Sequence, residues 1–202
     1  MVLTGGPGAG KTAILELARR TLCQRIAILP EAATILFGGG FLRHNSSAGR
    51  QAAQRAIFHV QHELERLVQD EGEVAFALCD RGTVDGLAYW PAAEEEFFRE
   101  LGTTRATELS RYHAVIHLRT PDASHGYNHQ NPLRTEDPAL AHDIDERILR
   151  AWDGHPNRHI IDSTDDFMMK ATMTMQLVQS YLPGCCQRRC FDISSASTAQ
   201  QQ

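Results

Sequence analysis

The chain has 202 residues, 42% of them hydrophobic and 22% charged, a size and balance that fit one folded α/β domain and exclude fibrous or disordered classes. A formal net charge of −5 argues against non-specific attachment to nucleic-acid backbones, and no apolar run approaches the ~20 residues that span a bilayer. Five cysteines, Cys23, Cys79, Cys185, Cys186 and Cys190, are odd in number and scattered, which excludes a disulfide framework and leads to the expectation of a reducing, cytoplasmic setting.

Taken in order, short β-type apolar runs alternate with longer helical patterns, the pattern of βαβ units. Strands are predicted over 1–4, 25–29, 74–79, 114–118 and 159–162. The first is short for a buried central strand, so the native polypeptide is expected to begin upstream of Met1. Helices are predicted over 11–22 and 51–70, the second from apolar spacing through Ala53, Ile57, Val60, Leu64 and Val68. Between them Gly38-Gly39-Gly40 breaks the pattern and predicts a mobile loop near a substrate entry. Residues 91–112 read as two helical pieces split near Gly102. The polar, turn-rich stretch 121–138 has the length of a lid and leads into a helix over 139–152. A last helix over 165–182 is expected to be capped by Ser163 or Thr164. Residues 1–183 thus make the domain, and 184–202, small and polar at their end, make a frayed tail.

Gly5-Gly6-Pro7-Gly8-Ala9-Gly10-Lys11-Thr12 fits G-x-x-x-x-G-K-[ST] at every fixed position, after a strand and at the start of a helix. The glycines let backbone N–H groups curl around phosphate oxygens where a Cβ atom would obstruct. Lys11 brings a positive charge to the β and γ phosphates, Thr12 a hydroxyl for Mg2+, and the helix beginning at Gly10 its positive dipole end. The competing reading is a glycine-rich turn that binds nothing.

Other candidates fall at the carboxyl edge of the sheet, where ligands of open α/β folds bind. Asp80 and Arg81 end the third strand. Asp80 is placed to hold Mg2+ and Arg81 to grip the acceptor or the transferring phosphoryl, against the alternative of an ion pair capping a strand. Glu31, just after the second strand, reads equally as a general base for an acceptor hydroxyl and as a solvated glutamate at a helix start. Arg119, after the fourth strand, and Arg134, in the lid, are candidates for stabilising charge on the γ-phosphoryl, with surface salt bridges as the alternative. His59 and His62, one helical turn apart, lack a third ligand and are set aside as a metal site; Cys185, Cys186 and Cys190 are set aside as well.

Three blocks, Gly5 to Thr12, Pro30-Glu31-Ala32-Ala33 and Asp80-Arg81-Gly82-Thr83-Val84-Asp85-Gly86-Leu87-Ala88-Tyr89, resemble the NadR-like AAA-domain family, predicted ATPases related to ribosylnicotinamide kinase. His117-Leu118-Arg119-Thr120, Asn131 to Glu136 and Trp152 to Pro156 are similar to its later region, so the resemblance covers residues 1–182. It implies a P-loop kinase-like fold, a parallel five-stranded sheet in the order 2-3-1-4-5 with helices on both faces and a helical lid. It also implies ATP or GTP binding and places Asp85 and Tyr89 near an acceptor pocket. It does not imply a substrate. The chain is too short for the helical lid domain of ring-forming motors, and it lacks the Asn-Lys-x-Asp segment that reads guanine, so ATP is expected over GTP. The expected activity is transfer of the ATP γ-phosphoryl to a hydroxyl of a nucleoside-like or other metabolite. The alternative is a nucleotide-dependent switch with slow hydrolysis. Expected partners are the nucleotide and a small-molecule acceptor, without nucleic acid or membrane, and a homodimer is compatible.

Overall fold

The computed structural model describes residues 1–121, 138–164 and 166–187. Five parallel strands, β1 (Val2–Thr4), β2 (Ile26–Leu29), β3 (Phe76–Asp80), β4 (Val115–Leu118) and β5 (Arg158–Ile161), form one sheet in the order β2-β3-β1-β4-β5. The expected fold class and strand order are therefore observed. β1 sits in the middle, with Leu3 in register with Asp80 on one side and Ile116 on the other.

Successive residues of a strand point to opposite faces, and β1 shows what this does to the core. Leu3 packs with Ile14, Leu15 and Ala18 of α1 (Lys11–Thr21) and with Met175 and Val178 of α7 (Phe167–Ser180). Val2 enters the opposite layer with Phe58, Val84, Phe97, Ile148 and Trp152. Val2 and Leu3 are both wholly buried, so two neighbouring residues of β1 anchor two apolar layers. The second layer is built by α3 (Ser47–Glu71), the paired helices α4 (Glu94–Glu100) and α5 (Arg105–Ser110), and α6 (Pro138–Ala151). The break at Gly102 separates α4 from α5 as the sequence predicts; its φ is +65°.

Several boundaries differ from expectation. Residues after Glu31 form α2 (Ala32–Gly38), which stops at the glycine triplet. Residues Thr83–Tyr89 coil into a 3₁₀ helix that the apolar pattern did not announce. The cap of α7 is Asp166, whose carboxylate accepts from Met168 N at 2.8 Å and Met169 N at 3.4 Å. Thr164 instead donates its hydroxyl to Asp166 O at 2.7 Å. A carboxylate reaches the first-turn amides with a formal charge as well as a lone pair, and it prevails over the hydroxyls upstream. At the start of the expected tail, α8 (Gly184–Gln187) follows α7 and brings Cys186 into the core. No helix among the described residues is long and apolar enough to cross a membrane.

Candidate active site

The phosphate loop links β1 to α1, and its shape depends on glycine. Gly5 has φ +135°, and a Cβ there would lie 2.1 Å from the Leu118 carbonyl oxygen on β4. Gly10 caps α1 at φ +95°, with the Phe167 ring 2.8 Å from where its Cβ would stand. α1 has no side-chain cap and no acidic residue in its first turn. Its unpaired amides and positive dipole end are left for an anion.

Lys11 lies folded across the loop, its Nζ donating to Gly5 O at 2.8 Å and Gly6 O at 2.9 Å. Burial, reinforced by the Arg81 guanidinium and opposed by Asp80, Glu31 and Asp85, pushes its ammonium down to about 7. Thr12 is exposed at the same end of α1. Asp80, at the end of β3, has a buried Oδ1 with no hydrogen-bond partner. Burial raises its carboxyl above the usual value despite Lys11 and Arg81. An orphaned carboxylate oxygen on the edge that carries the phosphate loop suits Mg2+ or one of its bound waters.

Arg81 is the one non-glycine residue with positive φ, +72°, among the described residues. That conformation costs a bulky L-residue ~1–3 kcal/mol, and three contacts hold it. Nε reaches Glu31 Oε1 at 2.7 Å, and Nη1 reaches Gly5 O and Asp85 Oδ2, each at 3.2 Å. Glu31 takes a further bond from Thr34 Oγ1 at 2.5 Å. Burial would raise its carboxyl, but Arg81, Thr34 and Lys11 together hold it below the usual value. Asp85 is committed inward: besides Arg81 it accepts from Thr4 Oγ1 and Trp152 Nε1, both at 2.6 Å. It lines the cavity, and its Oδ2 accepts from Arg81.

A second buried carboxylate, Asp145 on α6, grips the phosphate loop from the other side. Its Oδ1 accepts from Gly6 N at 2.7 Å and lies 3.0 Å from His117 Nε2. Its Oδ2 receives Thr120 N and Arg119 Nε, each at 3.3 Å. Arg119, expected beside the nucleotide, is thus turned onto α6, where it also pairs with Glu146. Burial would raise the Asp145 carboxyl; His117, Gly6 N–H and Arg119 bring it below the usual value. Asp145 escaped the sequence reading, although a signal existed. It stands in the apolar stripe of Ala141, Ile144 and Ile148, where an ordinary surface carboxylate would not be placed.

Beside the loop opens a cavity of about 770 Å³. Its wall brings together Pro7, Glu31, Arg81, Asp85 and Tyr89 of the expected site. Arg134 and the rest of the expected lid lie outside the described residues.

A strand-loop-helix phosphate cradle on a 2-3-1-4-5 parallel sheet defines a P-loop nucleotide-binding protein of the kinase-like type. The chain belongs to an AAA domain family (AAA_28), whose model matches residues 1–168, and this places it among P-loop phosphotransferases and NTPases. Its fold is similar to that of thymidylate kinase from Candida albicans, at 16% identity and a TM-score of 0.60, over 89% of this chain and 90% of that one. No curated protein sequence matches this chain significantly.

Proposed function

We propose that the protein is a small-molecule kinase that moves the γ-phosphoryl of ATP to an acceptor hydroxyl. The observation that carries this reading is the cavity. A space of about 770 Å³ suffices for a metabolite, and it is walled by the Glu31–Arg81 pair next to the phosphate loop. A protein that only hydrolysed nucleotide would need room for a water there.

In this reading the acceptor oxygen forms its bond to the γ-phosphorus as the bond from that phosphorus to the β-bridging oxygen breaks. The acceptor proton passes to a Glu31 oxygen, and ADP leaves. Glu31 stays ionised at neutral pH, so it can accept a hydrogen bond and then the proton. Phosphoryl transfer asks more for positioning than for base strength. Arg81 holds Glu31 in place and offers a guanidinium edge to the moving charge. The Lys11 ammonium exchanges the Gly5 and Gly6 carbonyls for β and γ phosphate oxygens. Thr12 and Asp80 would hold Mg2+, which neutralises phosphate charge when bound.

The test is ADP release from ATP and Mg2+ across a panel of hydroxyl-bearing metabolites. Acceptor-dependent release with a phosphorylated product is the expected result. Basal hydrolysis that no acceptor stimulates, together with partner binding that follows nucleotide state, would favour the switch instead.

A further inference from the structure

The inner wall of the cavity contains two polar groups that the chemistry above does not use. Gln54 of α3 lines it with only 8% of the residue exposed. Its carboxamide has no hydrogen-bond partner among the described residues. Its Oε1 faces Gly86 of the 3₁₀ helix, where an added Cβ would lie 3.2 Å from it. Gln61, two turns further along the same cavity-lining face, behaves differently: its amide donates to Glu65 Oε1 at 2.8 Å. The missing partner is therefore particular to Gln54. Trp90 lines the same cavity, and its indole N–H is buried with no acceptor. Ile57, Phe58 and Ile144 add apolar wall around them.

A buried polar group without a partner costs about 1–3 kcal/mol; the Trp90 N–H is one such group, and the unpaired Gln54 carboxamide lines the same cavity beside it, so the two point to a ligand that pairs with them. A carboxamide presents an acceptor beside a donor in one plane, and it is matched by a flat edge with the complementary pair. We infer that Gln54 reads the edge of a planar heteroaromatic ring on the acceptor, one that carries a hydrogen-bond donor beside an acceptor as nucleobases do. The ring lies against Phe58 and Trp90, and the hydroxyl attached to it points toward Glu31 and Arg81. This rests on reading the cavity as the acceptor site and adds the chemical class that it selects.

The experiment uses the full chain with ATP and Mg2+. Ligands are the four common ribonucleosides, versions N-methylated on the ring edge, and the ring-free alcohols ribose and glycerol. Binding is read from quenching of Trp90 fluorescence, with Trp90→Phe identifying the signal, and ADP release is measured in parallel. At least one nucleoside is expected to bind about tenfold or more tighter than its edge-methylated form and than ribose. In Gln54→Leu that discrimination falls to within about threefold, while ATP affinity stays unchanged. Gln54→Glu, which keeps the acceptor oxygens and loses the donors, shifts the preferred ring edge and guards against a folding defect in the leucine variant. Equal binding of ring-free alcohols, no binding of any nucleoside, or unchanged discrimination in both variants overturns the inference. Nucleoside binding without acceptor-dependent ADP release leaves ring recognition standing and removes the kinase reading. ADP release driven by ribose or glycerol does the reverse.

Discussion

Arg81 Nε and Glu31 Oε1 meet at 2.7 Å on the cavity wall, joining the end of β3 to the residue that opens α2. The arginine reaches this contact from a left-handed backbone conformation. Such strain persists where surrounding contacts over-determine it, and here Gly5 O, Asp85 and Glu31 do so together. Glu31→Gln keeps the shape of the pair and removes the proposed proton acceptor. It is expected to lower kcat ~100-fold with nucleotide affinity retained. Steady-state kinetics beside an ATP titration checks this, and equal losses in both would mean that Glu31 is structural.

Lys11 gives a pH signature. In the free protein its ammonium is pushed down to about 7, whereas bound phosphates favour the charged form. Above pH 7 nucleotide binding must therefore take up a proton, and affinity is expected to fall as pH rises from 7 to 9. Calorimetry at pH 8 in buffers of different ionisation enthalpy reads the uptake directly; heats independent of buffer contradict it. Linkage makes a companion statement for the nucleotide-free protein. Between about 7 and the ordinary value of 10.5 the unfolded chain holds the proton that the folded chain has lost, so stability rises with pH in that window. Lys11→Ala removes both effects and abolishes nucleotide binding.

Asp145→Ala deprives Gly6 N–H and Thr120 N–H of their acceptor and leaves Arg119 and His117 facing a void. Removing one partner from a buried charged network costs ~3–5 kcal/mol. A fall in the denaturation midpoint is expected, with weakened nucleotide binding in whatever protein remains folded. Its carboxyl sits below the ordinary value, so the stability it supplies is present above that value and is lost as pH falls through the folded one. Acid unfolding of wild type and variant should converge at low pH.

Gly5→Ala drives a Cβ to 2.1 Å from a β4 carbonyl, backbone against backbone with no flexible atom to yield. Gly154, also at positive φ (+87°), has nothing within 4 Å of a built Cβ. Alanine at Gly154 is expected to cost ~1–2 kcal/mol and to spare nucleotide binding, whereas alanine at Gly5 should eliminate it. Thermal melts with and without ATP compare the two.

Chelation of divalent metal is expected to stop turnover, since the ion that Asp80 and Thr12 would hold is what neutralises the triphosphate in this proposal. Asp80→Asn should raise the Mg2+ concentration needed for half-maximal rate. An unchanged Mg2+ dependence would remove Asp80 from the metal site.

The sheet and the phosphate loop were legible because their signals are local. Periodicity two against 3.6 gives the elements, and the spacing of Gly5, Gly10 and Lys11 gives the cradle. Glu31, Asp80 and Arg81 were legible from their place at strand ends, since β2 and β3 pair in register from Ile26 with Phe76 to Leu29 with Cys79. What escaped depends on contacts distant in sequence. Asp145 meets Gly6 across 139 positions, Trp152 meets Asp85 across 67, and Gln54 is one of several polar residues on α3 until the cavity shows it alone. The segment Thr83–Tyr89 is likewise tied down by contacts distant in sequence, Thr83 to Glu108 and Tyr112 and Asp85 to Trp152. The cap of α7 at Asp166 was a choice among neighbouring polar side chains that sequence order could not rank.

One helix touches both halves of the site. Through Asp145, α6 holds the strand-to-helix turn where the triphosphate would rest; through Trp152, just past its end, it holds the carboxylate that braces Arg81. A tilt of that single rod is thus felt at the phosphate loop and at Arg81 simultaneously. Phosphate grip and guanidinium placement become one mechanical coordinate instead of two independent adjustments.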